Sequence, residues 1–335
     1  MAVPTVFIDG EAGTTGLQIY QRLADRNDIE VISIDPNKRK DAAERARLLN
    51  AADISILCLP DDAAREAVGL VTNPQVRILD ASTAYRTAKD WAYGFPELKA
   101  GAGDASMGRF RDRIAASKRV SNPGCYPTGF LSVVAPLVQA ELIPATFPLT
   151  VNAISGYSGG GKKMIAQYEE FRTQHPEQAE SISPYSPYGL KFGHKHVKEM
   201  QEYAGLSHPP LFVPSVGDFA QGMVVQVPLP LWSLAQPPTG KQLHDALTQY
   251  YEKEDFVVVT PYEAADQLRD SSFLEAKNAN GTNEVQLFVF ANDAAQEALL
   301  VARLDNLGKG ASGAAVQNLN IMLGLPEQEG LSNAL

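Results

Sequence analysis

Cysteine is scarce in this chain: Cys58 and Cys125 are the only two among 335 residues. Two thiols cannot build a disulfide framework at this length, which points to a reducing compartment, the cytoplasm. Histidine is nearly as rare, at five. No set of His, Cys, Asp and Glu stands at metal-ligand spacing, so no metal is expected. No stretch approaches the roughly 18 uninterrupted apolar residues of a membrane span. The opening residues MAVPTVFIDGEAGTTG have neither a charged leader nor a long apolar core, unlike a secretory signal. Positive charge is in deficit. The 29 Lys and Arg against 39 Asp and Glu leave a formal charge of −10. That balance argues against nonspecific nucleic-acid binding and against anionic membrane surfaces. An anionic small substrate in a local basic pocket stays open. Repeats and low-complexity segments are absent, and Asn280-Gly281-Thr282 reads as a turn rather than a glycosylation site.

Apolar residues at 44% and charged residues at 20% are ordinary globular values. At about 150 residues per domain the length suggests roughly two domains. The first 80 residues alternate. Short β-rich runs at 5–10, 30–35, 53–60 and 76–80 are separated by helical spacings of 10–12 residues. This is the pattern of βαβ units on a parallel sheet. ISILC is apolar on both faces, as in a strand covered by helices on both sides.

Residues 85–113 are glycine-rich and read as irregular. Residues 125–142 read as one apolar helix, bent at Pro136. Beyond 148 come longer strands, PLTVNAIS, PLFVPSV, GMVVQVPLPL, EVQLFVFAN and EALLVARLD, which predict a mostly antiparallel sheet. A helix is expected at 241–253 after Pro-Pro-Thr-Gly, and an Ala-rich one at 309–325. The predicted organisation is an α/β Rossmann-type cofactor domain, residues 1–120 plus 305–335, and an α+β catalytic and oligomerisation domain, residues 121–304.

Four motifs carry chemistry. Gly10-Glu11-Ala12-Gly13-Thr14-Thr15-Gly16 follows the first strand and opens the first helix. Glycines permit a tight turn, and backbone N–H groups at a helix start attract a pyrophosphate. Asp35 ends the second strand, where an acid binds a ribose 2′-hydroxyl. Lys38, Arg39 and Lys40 follow at once and suit a 2′-phosphate, so NADP is preferred to NAD; a solvated basic turn is the alternative.

The second motif is Ser121-Asn122-Pro123-Gly124-Cys125-Tyr126-Pro127-Thr128. Cys125 stands after a Pro-Gly turn at the start of an apolar helix. A helix N-terminus favours the nucleophilic thiolate. Cys58, in mid-strand, reads as inert. The third is Gly193-His194-Lys195-His196-Val197-Lys198-Glu199, where an extended chain would point both imidazoles the same way. A cysteine nucleophile needs an acid/base active near neutral pH, and Glu199 could orient it. The fourth is Ser155-Gly-Tyr-Ser-Gly-Gly-Gly-Lys162-Lys163, a glycine nest with cations suited to an anion, or else a surface hairpin. Arg86, Arg109 and Arg111 are further anion candidates.

Together IDGEAGTTG, DASTAYR, YGFPEL, SNPGCYPTG, SGYSGGGK, GHKHVKE and NLGKGASGAAVQN run in order through nearly the whole chain. The chain resembles the N-acetyl-gamma-glutamyl-phosphate reductase family in its shorter form, a family similar in plan to aspartate-semialdehyde and glyceraldehyde-3-phosphate dehydrogenases. The resemblance implies NADPH-dependent reduction of an acyl phosphate to an aldehyde in arginine biosynthesis, through a thioester on Cys125. It implies an acid/base from the His pair, His196, with His194 contacting substrate. Substrate contacts are further expected from Arg86, Lys162, Arg109 and Glu199. Cofactor contacts are expected from Gly10, Gly13, Thr14, Thr15, Gly16, Asp35, Lys38 and Arg39. Ser82, Asn318 and the Lys309–Gly313 turn match blocks near the nicotinamide. A homo-oligomer, dimer or tetramer, is implied. The chain departs from the family's usual cofactor loop at Glu11, a residue unfavourable beside a pyrophosphate unless it points away. Readings left open by the residues themselves are another semialdehyde dehydrogenase, a cysteine hydrolase or acyltransferase, and a silent dinucleotide-binding subunit.

Overall fold

The computed structural model describes residues 3–99, 108–176 and 182–332. These fall into two compact units. One lies within Met1–Ala100, Ala105–Gly124 and Ala311–Ser332, the other within Cys125–Gly310.

The first unit is an all-parallel six-stranded sheet of order β2-β1-β3-β4-β6-β5. Its strands are β1 (Thr5–Asp9), β2 (Glu30–Ile32), β3 (Ile54–Leu57), β4 (Arg77–Asp80), β5 (Ala92–Tyr93) and β6 (Arg119–Ser121). Helices α1 (Thr14–Leu23), α2 (Ala42–Ala51) and α3 (Asp61–Leu70) make the crossovers, and α4 (Phe110–Ala116) precedes β6. Every residue of β3 is buried, so the helix-covered, doubly apolar strand expected at ISIL is present. Strand order reverses between β1 and β3, the place where open α/β sheets bind ligands at their carboxyl ends. Gly10 occupies that point with φ +90°, and a Cβ there would overlap the Cys58 carbonyl oxygen. Only glycine fits both demands. The stretch 85–113 is less irregular than expected, since it contains β5 and the start of α4; Gly101 and Gly103 lie outside the described residues.

The second unit is a seven-stranded sheet of order β11-β12-β13-β10-β7-β9-β8. Its strands are β7 (Thr150–Gly156), β8 (Tyr185–Pro187), β9 (Leu211–Gly217), β10 (Met223–Pro230), β11 (Val257–Val259), β12 (Val285–Asn292) and β13 (Glu297–Leu304). It is mostly antiparallel, as expected, but β7–β9 and β11–β12 are parallel pairs. Helices α5 (Cys125–Gln139), α7 (Val197–Ala204) and α8 (Gly240–Tyr251) belong to this unit, with α5 and α8 packed on its sheet and α7 packed on α5. A capping box of Thr239 and Gln242 starts α8.

Helix α5 is buried nearly throughout, which its all-round apolar sequence requires. Burying each Phe, Leu or Val side chain there contributes about 1.5–3 kcal/mol. Pro136 lies inside the helix and offers no N–H to the Ser132 carbonyl. The Tyr251 hydroxyl donates to that carbonyl instead, at 3.0 Å. The neighbouring helix thus satisfies the group that the proline abandons. The helix stops at Gln139, short of the expected 142, where Glu141 turns to φ +56°.

Three helices, α4, α6 (Gly161–Gln174) and α7, escaped the sequence reading. The glycine nest leads into α6, which buries only Tyr168. With so little apolar periodicity the segment carries almost no helical signal. Near the C-terminus a π-helical turn at Gly308–Ser312 precedes α9 (Gly313–Leu323), shorter than the single helix expected over 309–325. Helix α9 packs on α1, α4 and β4 of the first unit.

Candidate active site

Cys125 is the first residue of α5 and is partly exposed. Its sulfur therefore sits at the positive end of a fifteen-residue helix. The turn leading to it is held at Asn122. Arg86 donates Nε to the Asn122 carbonyl at 2.9 Å, and Asn318 donates Nδ2 to Asn122 Oδ1 at 3.1 Å. Asn122 Nδ2 in turn donates to the Ala311 carbonyl at 3.0 Å.

The Gly308–Ser312 turn closes on the cysteine within the second unit. A Cβ at Gly310 would lie 2.9 Å from the Cys125 Cβ, so no side chain fits there. Two side chains fix the approach to this turn. Asp305 accepts from the N–H groups of Leu307 at 2.9 Å and Gly281 at 2.8 Å. Asn306 accepts from Gly222 N–H at 2.8 Å and donates to Ser158 Oγ at 3.0 Å.

Tyr126 is the hinge of the site. Its ring meets His196 at 5.9 Å, His194 at 6.2 Å and Phe212 at 5.1 Å between centroids. Its hydroxyl donates to the Ser215 carbonyl at 3.1 Å and accepts from Tyr188 at 3.2 Å. Burial pushes the Tyr126 phenol far above its ordinary range, with Tyr188 and Cys125 adding to the shift. Burial likewise pushes Tyr188 up to about 12; the Tyr126 hydrogen bond opposes the rise and the nearby Cys125 adds to it. Both phenols therefore stay protonated, within electrostatic reach of the Cys125 sulfur.

The two histidines do not alternate along an extended chain, as the sequence suggested. His196 has helical dihedrals and caps α7, and the two rings pack edge to face at 4.7 Å. The reason is local: the His196 N–H donates to His194 Nδ1 at 3.2 Å, folding the tripeptide into a turn. His194 Nδ1 is thus an acceptor, and the neutral ring carries its proton on Nε2. Burial, then the Lys195 charge, lowers the His194 pKa. His196 is buried, and so is Glu199 in the first turn of α7.

Helices α5 and α7 pack on each other, which sets Tyr126, the neighbour of Cys125, against the His194–His196 turn, with Glu199 in the first turn of α7. Lys162 is exposed in the first turn of α6, after a 3-10 turn at Tyr157–Gly160. Arg86 is buried against backbone carbonyls, and Arg109 donates to the Glu97 carbonyl at 2.8 Å. Arg111 pairs with Glu327. Tyr126, Tyr188, Ser158 and Asn306 were missed by the sequence reading. The position of Tyr126 beside Cys125 was a usable signal, whereas Tyr188 and Asn306 gave none.

In the first unit the glycine loop borders a cavity of about 300 Å³, lined among others by Asp9, Glu11, Arg39, Lys40 and Arg45. Gly13 caps α1 without a side-chain hydrogen bond, and the first turn holds no acid. Asp35 uses its carboxylate to cap a 3-10 turn, accepting from Asn37 N–H at 2.9 Å. Lys38 and Arg39 are exposed on that turn. Ser82 is buried and donates Oγ to Asp80 at 2.7 Å. Asn318 donates to the Gly94 carbonyl at 2.8 Å, and its Oδ1 is buried with no hydrogen-bond partner among the described residues. No helix among the described residues is long and apolar enough to cross a membrane, and none of their His, Cys, Asp and Glu form a metal-binding cluster.

Two family models match the chain. "Semialdehyde dehydrogenase, NAD binding domain" covers residues 5–105, and "Semialdehyde dehydrogenase, dimerisation domain" covers 125–306. A Nostoc sp. (strain PCC 7120) protein named N-acetyl-gamma-glutamyl-phosphate reductase 2 is 62% identical over 331 residues, 99% of this chain and 100% of the relative. A Trichormus variabilis N-acetyl-gamma-glutamyl-phosphate reductase is 63% identical over the same coverage. The chain belongs to the N-acetyl-gamma-glutamyl-phosphate reductase family. A Chelativorans sp. reductase, 52% identical over 320 residues (95% of this chain, 97% of the relative), extends the likeness. Among solved structures, aspartate semialdehyde dehydrogenase II from Vibrio cholerae matches with TM-score 0.70 at 15% identity, over 97% of this chain and 99% of that one. At that identity the likeness concerns the fold, and it agrees with the Rossmann-type and α+β units described for this reductase-family chain.

Proposed function

We propose that the chain reduces N-acetyl-gamma-glutamyl phosphate to N-acetyl-glutamate 5-semialdehyde with NADPH, by way of a thioester on Cys125. The observation that carries this reading is Cys125 at the start of α5, with Tyr126 packed on the His194–His196 turn. The family and the names of its relatives support the substrate. A cytoplasmic setting suits two free cysteines, one of them a reactive thiol.

The residues fit the dinucleotide. Gly10, Gly13, Thr14, Thr15 and Gly16 offer a helix start with no side-chain cap and no first-turn acid for a pyrophosphate. The buried Asn318 Oδ1 offers an acceptor that a nicotinamide carboxamide N–H would satisfy. Ser82 borders the same end of the sheet. Lys38, Arg39 and Lys40 supply cations for a 2′-phosphate, and Asp35, whose Oδ1 caps the turn that carries Lys38, offers its other oxygen to the ribose. When bound, NADPH supplies a hydride to the carbonyl carbon of the thioester.

The chain's own residues do the rest. The Cys125 thiolate attacks the acyl carbonyl, the carbon–oxygen bond to phosphate breaks, and phosphate leaves. After reduction the oxyanion on the Cys125-bound carbon accepts a hydrogen bond or proton from the His196 imidazolium. Its collapse re-forms the carbonyl, breaks the carbon–sulfur bond and returns the proton to His196. His194, neutral and bearing its proton on Nε2, donates a hydrogen bond to the substrate. Glu199 orients the turn that carries His196. Lys162 serves the departing phosphate. Arg86 and Arg109, candidates for substrate contacts, each also hold a backbone carbonyl within the first unit.

We assign the assembly to a homo-oligomer, a dimer or tetramer. A groove of about 620 Å³ lined by Pro148, Thr150, Pro228, Phe290 and Leu299 leaves apolar surface on the seven-stranded sheet for a second copy. The dimerisation-domain description of this region supports that occupant.

The test runs the reaction backwards. NADPH formation from N-acetylglutamate 5-semialdehyde and NADP+ is expected to require phosphate, with aspartate semialdehyde giving none. Phosphate-independent turnover, or equal turnover of both aldehydes, would refute the assignment.

A further inference from the structure

Glu11 is out of place in a loop that receives a pyrophosphate, and the structure shows where its charge goes. Oε2 accepts from Ser33 Oγ at 3.0 Å, on the residue that follows β2. Oε1 accepts from Arg39 Nη2 at 3.3 Å. The Glu11 side chain is only 15% exposed, against 43% for Arg39. Both line the cavity beside the glycine loop, with Lys40. Asp35 does not line that cavity, and its Oδ1 caps the following turn. The other guanidinium in that cavity, Arg45, is committed to Asp9 at 2.9 Å and Glu66 at 3.1 Å. The end of β2 is where this fold reads the adenosine ribose. Of the carboxylates that line the cavity, Asp9 and Glu66 pair with Arg45, while Glu11 holds two side chains suited to grip a phosphate, Ser33 and Arg39.

We propose that Glu11 sets the preference between 2′-phosphorylated and 2′-hydroxyl dinucleotides, by holding Arg39 and Ser33 back from a 2′-phosphate. The proposal rests on the dinucleotide reading given above. A ribose 2′-hydroxyl donates to Glu11 while the Arg39 pair stays intact. A 2′-phosphate brings negative charge beside the carboxylate and must take Arg39 and Ser33 away from it. The basic run Lys38–Lys40 attracts the phosphate, and Glu11 opposes it. The result is a narrower preference for NADP(H) than the basic run alone would give.

The experiment measures Kd for NADP+ and NAD+ by calorimetry on the full chain, without turnover. The variants are Glu11→Gln, Glu11→Asp, Arg39→Gln and the Glu11→Gln/Arg39→Gln double, each checked for folding by thermal melt. In Glu11→Gln the ratio of Kd for NAD+ to Kd for NADP+ is expected to rise about tenfold or more. NADP+ tightens and NAD+ weakens. Glu11→Asp, which keeps the charge, stays closer to wild type. Without Arg39 the rise shrinks to roughly threefold or less. A ratio unchanged in Glu11→Gln, both affinities falling together, would mean that Glu11 only staples the loop to β2, and would overturn the proposal. A full rise in the Arg39→Gln background would overturn the part assigned to Arg39. Failure of wild type to bind either dinucleotide would overturn the dinucleotide reading itself, and the proposal with it.

Discussion

The glycine loop after β1 and the turn before α5 prepare for chemistry in opposite ways. In the first, the backbone acts. Gly10 and Gly13 leave the N–H groups of α1 uncovered, and the charged side chains nearby are committed to one another, Arg45 to Asp9 and Glu66, Arg39 to Glu11. In the second, side chains act. Tyr126, next to Cys125, sets its ring against the imidazoles of His194 and His196, and its hydroxyl joins Tyr188 and Ser215. A backbone site fails when a side chain is added. A side-chain site fails when one is removed.

Substitutions can break that contrast, and the largest effect is expected at Cys125. Cys125→Ser should lower kcat by at least about 10³-fold, because the nucleophile is lost. Its NADP+ affinity, measured calorimetrically, should stay within roughly twofold, since the glycine loop belongs to the other unit. His196→Gln should follow with a loss of about 10²–10⁴-fold in kcat, again with NADP+ binding retained. Gly10→Ala should reverse the pattern. The positive φ and the overlap with the Cys58 carbonyl should cost about 1–3 kcal/mol, seen as a melting point lower by several degrees, and NADP+ binding should weaken.

The smallest effect sharpens the picture of His194. Its pKa is lowered in the fold by burial and by Lys195. The unfolded chain therefore binds a proton near pH 6.5 that the folded chain refuses. No stability is lost well above that pH, and stability falls as pH drops from there toward the folded pKa. Denaturant midpoints measured from about pH 8 to pH 5 should fall less in His194→Asn than in wild type. An identical acid limb in both proteins would refute the burial argument.

What could be read from the residues divides along the same line. The parallel sheet was legible because β3 is apolar on both faces and the helices between strands keep their period. The start of α5 at Cys125 was legible because Pro-Gly precedes it and an apolar run follows. The turn of His194 and His196 was not, because one backbone hydrogen bond to Nδ1 overrides the extended alternation. Helix α6 was invisible for want of an apolar face. The path of Glu11 was invisible because its partners stand 22 and 28 residues away, at the end of β2 and in the turn that follows.

The most direct test of the central claim is to look for the acyl group on the sulfur. Wild-type protein would be mixed with N-acetyl-gamma-glutamyl phosphate and NADP+, which cannot donate hydride. Phosphate release would be followed rapidly, and the quenched protein analysed by peptide mass. A burst of about one phosphate per chain, with the acyl group on the Cys125 peptide and neither in Cys125→Ser, is predicted. Absence of burst and adduct in a wild-type protein that turns over with NADPH would contradict covalent catalysis by Cys125.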